Sequence, residues 1–157
     1  MKQSYFHRSK TDMFMKRLWL FALFSLFSWG VNAQCPAGDV ALYSQADVNN
    51  FATNYPNCTE ITGYLYIGGS NITDLSPLSN IQSIGGLLLI QNNYQLTNLD
   101  GLSNLTQIGG YLNIYNNSQL TNLDGLSNLT QIGGYLNISS NSQLTNLDGL
   151  SNLTSIG

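Results

Sequence analysis

The sequence predicts a mainly β fold, a β-solenoid whose N-terminal end carries a helical cap tied by a disulfide. Three observations predict it. Near-identical units recur every 24 residues, apolar and polar residues alternate at the strand of each unit, and two cysteines bracket an amphipathic stretch ahead of the first unit.

Residues 1–33 read as a secretory signal peptide, with translation starting at Met1, Met13 or Met15. Lys16-Arg17 supplies a basic start, an almost unbroken apolar run extends from Leu18 to Trp29, and Val31 and Ala33 are small residues suited to cleavage before Gln34. The run falls short of the ~20 apolar residues of a membrane span, which favours a cleaved signal over an anchor. Gln34 in front of Cys35 argues against a lipoprotein.

Residues 34–60 read as the cap. In an exported chain Cys35 and Cys58 are expected to pair. Between them Ser44-Gln-Ala-Asp47 resembles a capping box with Asp in the place of Glu. Val48, Phe51, Ala52 and Tyr55 then fall on one helical face, and Pro56 ends the helix. The expectation for 35–58 is a helix stapled at both ends.

Residues 61–157 read as tandem coils of about 24 residues, the last incomplete. Residues 95–114 recur identically at 119–138, and the first twelve of them recur at 143–154. Ile61-Thr-Gly-Tyr-Leu65-Tyr-Ile67 parallels Ile84-Gly-Gly-Leu-Leu88-Leu-Ile90 at a spacing of 23, so the first coil is one residue short. Leu112 and Ile114 alternate with Tyr111, Asn113 and Tyr115, a strand with one buried face. Leucines spaced by three among Asn, Asp, Gly, Ser and Thr suit tight turns, with Asp124-Gly125 and Gly133-Gly134 expected to supply permissive backbones. A single coil buries too little to offset the ordering of its backbone, so the coils must stack. The chain stops inside an Ile-Gly-Gly motif, at Ser155-Ile156-Gly157, which suggests a fragment of a longer protein.

Charge excludes several functions. All five Lys and Arg and the one His precede residue 18; residues 34–157 hold seven acids and no cation. Such a body cannot neutralise phosphates, so neither nucleic acid nor an anionic membrane surface is an expected partner. Without histidine, Ser-His-Asp, Cys-His and His-ligated metal chemistry are unavailable. No catalytic residue and no cofactor is expected; the chain reads as a non-enzyme.

Stacking brings equivalent residues into ladders. Asn93, Asn117 and Asn141 lie three residues before Leu96, Leu120 and Leu144 and are expected to turn inward and satisfy turn backbone groups. Asp100, Asp124 and Asp148 form an acidic ladder. Calcium would relieve their repulsion, but no calcium-loop spacing is present and solvated Asp-Gly turns are the simpler reading. The Asn-Leu-Thr sequons at Asn104, Asn128 and Asn152 are acceptors only in a eukaryotic secretory host. Outward strand positions bear Tyr64, Tyr66, Tyr111, Asn113, Tyr115, Tyr135 and Asn137, uncharged residues suited to recognition.

The cap and first coil, Cys35-Pro-Ala-Gly-Asp39 followed by Asn57-Cys58-Thr-Glu-Ile61-Thr-Gly63-Tyr-Leu65-Tyr-Ile67, resemble the receptor L domain, the ligand-binding module of insulin- and epidermal-growth-factor-type receptors. The resemblance implies a right-handed β-helix of leucine-rich coils. The regular Asn-rich coils and the NAQ end of the leader look like surface proteins of Bacteroidetes. Together these readings predict a secreted or cell-surface recognition or adhesion module that binds an extracellular protein or a glycan through the Tyr/Asn strand face. The alternative is a structural spacer in a larger extracellular protein.

Overall fold

The computed structural model describes residues 34–157, and the signal-peptide reading of 1–33 lies outside them. Ten short strands form two five-stranded parallel sheets. The odd strands β1 (Val40–Leu42), β3 (Leu65–Ile67), β5 (Leu88–Gln91), β7 (Leu112–Tyr115) and β9 (Leu136–Ser139) make sheet A in chain order. The even strands β2 (Glu60–Ile61), β4 (Ser83–Ile84), β6 (Gln107–Ile108), β8 (Gln131–Ile132) and β10 (Ser155–Ile156) make sheet B. The chain thus visits each sheet once per coil.

Register follows the repeat. In sheet A Leu65, Leu88, Leu112 and Leu136 are successive partners, as are Ile67, Ile90, Ile114 and Ile138; in sheet B, Ile61, Ile84, Ile108, Ile132 and Ile156 align. These aliphatic ladders point inward and, with the turn leucines, form one continuous core, except in the last coil, where Leu147 and Ile156 are exposed. A slip of one residue in either sheet would turn its whole ladder out to water.

Between the strands of a coil, a single 3-10 turn (Ser76–Leu78, Asp100–Leu102, Asp124–Leu126, Asp148–Leu150) carries the chain round the corner. The turn glycines answer a different need from the one expected. They do not adopt a left-handed backbone; among the described residues the one glycine with positive φ is Gly38. A Cβ on Gly101, Gly125 or Gly149 would instead overlap the carbonyl of Leu75, Leu99 or Leu123 in the preceding coil. Space, not backbone freedom, selects glycine there. Among the described residues the non-glycine left-handed positions are Asn92, Asn116 and Ser140, at φ 57–59°. Asparagine tolerates this region better than most residues.

The cap helix α1 (Gln45–Asn54) forms as its capping box predicts. Ser44 Oγ accepts from the Asp47 amide at 3.2 Å, and Asp47 Oδ2 accepts from Ser44 Oγ at 2.9 Å and from the Tyr43 amide at 3.0 Å. Val48 and Phe51 are buried, and the chain leaves the helix at Tyr55, whose amide donates to the Phe51 carbonyl. Cys35 and Cys58 form the disulfide. Gln45 binds the cap to the first coil: its Oε1 accepts from the amides of Thr73 and Asp74 and its Nε2 donates to the Asp74 carbonyl.

One expectation for the cap needs correction. Residues 35–58 are not helix alone; Val40–Leu42 forms β1, which pairs with β3 and becomes the first strand of sheet A. Gly38-x-Val40-x-Leu42 repeats the pattern of Gly63-x-Leu65-x-Ile67. With three residues, the segment is too short for alternation to stand out.

Candidate functional site

The side chains of sheet A that do not enter the core form three outward rows. The register of β1 to β9 puts Asp39, Tyr64, Leu87, Tyr111 and Tyr135 on the first row, just before the strands. Ala41, Tyr66, Leu89, Asn113 and Asn137 make the second. Tyr43, Gly68, Gln91, Tyr115 and Ser139 make the third. All seven residues singled out in the sequence lie on this face. Asp39, Ala41 and Tyr43 join them through β1, which the sequence reading missed.

The face changes character along its length. At one end, Tyr111 and Tyr135 stack with ring centroids 4.4 Å apart and planes 9° from parallel. Tyr135 remains 55% exposed, yet its phenol is raised above the ordinary tyrosine value of 10.0. Desolvation by the adjoining groups is the main cause, followed by repulsion from the Tyr111 phenol and a hydrogen bond with it. Beside the pair, Asn137 Nδ2 donates to Asn113 Oδ1 at 3.0 Å, leaving Asn137 Oδ1, the second Asn137 amide proton and both Asn113 amide protons for other partners. At the other end, Tyr43, Tyr64, Tyr66, Leu87 and Leu89 line a shallow apolar depression.

The inward asparagines do structural work under this face. Asn93 and Asn117 are fully buried. Asn117 Oδ1 accepts from the Asn93 amide and side chain, and its Nδ2 donates to the Ile90 carbonyl at 2.9 Å and the Tyr115 carbonyl at 3.2 Å. Asn141 repeats the arrangement one coil on, accepting from the Asn117 amide at 2.9 Å and donating to the Ile114 carbonyl at 2.9 Å. Each amide links the strand end of one coil to that of the next, so these residues hold the face rather than form it.

The acidic ladder lies away from the face, at the first residues of the 3-10 turns. Asp100, Asp124 and Asp148 are exposed, and their amides are held by Asn98, Asn122 and Asn146 Oδ1 at 3.0–3.1 Å. Among the described residues no three His, Cys, Asp or Glu gather as a metal site would require. The sequon asparagines serve a purpose that sequence reasoning did not find. Asn104, Asn128 and Asn152 each donate Nδ2 to a serine carbonyl of the preceding coil at 2.7 Å. Asn80, which has no sequon, does the same to Pro56, and that shared position was the available signal.

Among the described residues no helix is long and apolar enough to cross a membrane. The receptor L domain family model matches residues 57–133 and again 106–157, the overlap reflecting the near-identity of the coils. A search among curated proteins finds no match. With well over half of its length matched, the chain belongs to the receptor L domain family.

Proposed function

We propose that this receptor L domain is a secreted or cell-surface recognition or adhesion module, and that its partner, an extracellular protein or a glycan, docks on the outer rows of sheet A. The family is one of extracellular ligand-binding modules, and a disulfide suits an oxidising compartment. In this reading residues 1–33 are the cleaved signal, the coils are leucine-rich repeats wound in the right-handed sense that nearly all parallel crossovers take, and the domain has no catalytic role. Its source is a Bacteroidetes surface protein.

One observation carries the choice of face. Inward positions repeat the same aliphatic residues from coil to coil, while the outward rows of sheet A combine five tyrosines of the sequence-identified set with Asn113 and Asn137. Tyrosine gives large amphipathic contact area at small entropic cost, and asparagine adds adaptable hydrogen bonding. The outer positions of sheet B offer Glu60, Ser83, Gln107, Gln131 and Ser155, with no aromatic ring.

The test is a screen of the chain on glycan and surface-protein arrays, repeated with Tyr111→Ala combined with Tyr135→Ala. The expected result is a ligand whose binding falls at least about tenfold in the double variant, the loss typical of removing an aromatic anchor, and which is indifferent to chelator. Binding that survives the double change and vanishes on chelation would move the site to Asp100, Asp124 and Asp148. No ligand at all would favour the spacer reading.

A further inference from the structure

We propose that the β1 corner of sheet A is a binding site for a cationic side chain, an arginine or lysine presented by a protein partner. The inference rests on sheet A being the docking face and names the chemistry of one end of it.

β1 sets Ala41 between Asp39 and Tyr43, next to Tyr66 on β3. An open depression of about 230 Å³ lies among the neighbouring tyrosines. Its walls are Tyr43, Tyr64, Tyr66, Leu87 and Leu89. Tyr43 and Tyr66 meet at 5.2 Å with planes tilted by 44°, so neither ring lies flat over the other. In the Tyr111–Tyr135 pair, by contrast, each ring covers a face of its neighbour. Gly68 makes the tilt possible, because a Cβ there would run into the Tyr66 hydroxyl. Gln91 Nε2 then donates to that hydroxyl at 3.5 Å, a long bond that steadies the ring from the next strand.

Charge selects the occupant. Asp39 is exposed on the first row and uses Oδ1 to accept from the Tyr64 amide at 3.0 Å, which anchors the carboxylate beside the tyrosines. Asp47, the other nearby acid, is spent on the start of α1. Residues 34–157 contain no Lys, Arg or His, so no side chain of this body can neutralise Asp39. Exposed ring faces beside an unpaired carboxylate attract a cation doubly, through the ring quadrupole and through direct Coulomb attraction. The apolar walls suit the aliphatic stem that carries an arginine or lysine head. A neutral apolar group would fill the depression and leave Asp39 unanswered.

The test titrates the full chain with an acetylated, amidated Gly-Arg-Gly peptide and with its citrulline counterpart, the uncharged isostere, following the ring resonances of Tyr43, Tyr64 and Tyr66 by NMR. The arginine peptide is expected to bind about tenfold more tightly, the combined reach of an exposed cation–π contact and a surface ion pair. The preference should shrink in about 1 M salt. Asp39→Asn retains an oxygen for the Tyr64 amide but not the charge, so it should lose most of the preference while leaving the fold intact. Equal binding of the two peptides, silence of all three rings with both, or a preference unchanged in Asp39→Asn would each overturn the proposal. None of these outcomes touches the array result, which reads the opposite end of the face through Tyr111 and Tyr135.

Discussion

The two sheets share one interior and differ outside. Leu65, Leu88 and Leu112 of sheet A and Ile61, Ile84 and Ile108 of sheet B are all fully or almost fully buried in one core. Outside, sheet A strands of three or four residues display tyrosine, leucine and asparagine, whereas sheet B strands of two residues display Glu, Ser and Gln. A two-residue strand has a single outward position, too little to build a surface. The longer strands alone give rows that cross several coils. Stability is therefore spread over both sheets, and the exposed aromatic surface, the proposed docking face, is concentrated in one.

That contrast breaks most visibly at the ends of the sheet A strands. Asn117→Leu would leave the Ile90 carbonyl and the Asn93 amide without their buried partner, at a cost of about 3 kcal/mol or more. The outward Gln131→Leu on sheet B should stay within ~0.5 kcal/mol. Denaturant melts of the two variants compare them directly; equal costs would mean that the asparagine ladder is not what holds sheet A. Next comes the disulfide, which joins the chain just ahead of β1 to the chain just ahead of β2 and so ties the first strands of the two sheets. Cys58→Ser should lower stability by about 3 kcal/mol under oxidising conditions. Amide exchange should quicken first at Val40 and Leu42, and an unchanged melting point with unchanged exchange would contradict this.

The smallest effect sharpens the picture of the outer face. Because the Tyr135 phenol is held above its ordinary value, the folded chain favours its neutral form. The associated stability is complete below the unfolded tyrosine value of about 10 and is lost as pH rises through the raised value. An ultraviolet titration should show one tyrosine ionising late, and Tyr111→Ala should bring it back toward the others. A late phase that persists in that variant would place its cause elsewhere.

Much of the architecture was legible because it is periodic. The aliphatic ladders and the start of α1 depend on residues near one another in sequence or repeated at a fixed interval, and both signals survive without coordinates. The features that escaped are contacts between coils. Nothing local marks Gly125 as the residue that must pass under the Leu99 carbonyl, and nothing in Asn-Leu-Thr reveals that Asn128 reaches the Ser103 carbonyl. β1 escaped because three residues beside a strong helix signal carry little periodicity of their own. With it went Asp39 and Tyr43, and hence the charged corner of the face. Sequence reading located the rows and missed their edge.

The bracket that Gln45 places on Thr73 and Asp74 has a meaning for heredity as well as for packing. Coils that repeat residue for residue present the same contacts to their neighbours, so a duplication or deletion of 24 residues among them changes the length of the stack and little else. Copy number can drift under replication slippage while each surviving coil still fits. The first coil, one residue short and gripped by Gln45, does not belong to that interchangeable set. It marks the origin from which the others are counted, and so keeps Tyr64 and Tyr66 beside the Asp39 and Tyr43 of the cap however many coils follow.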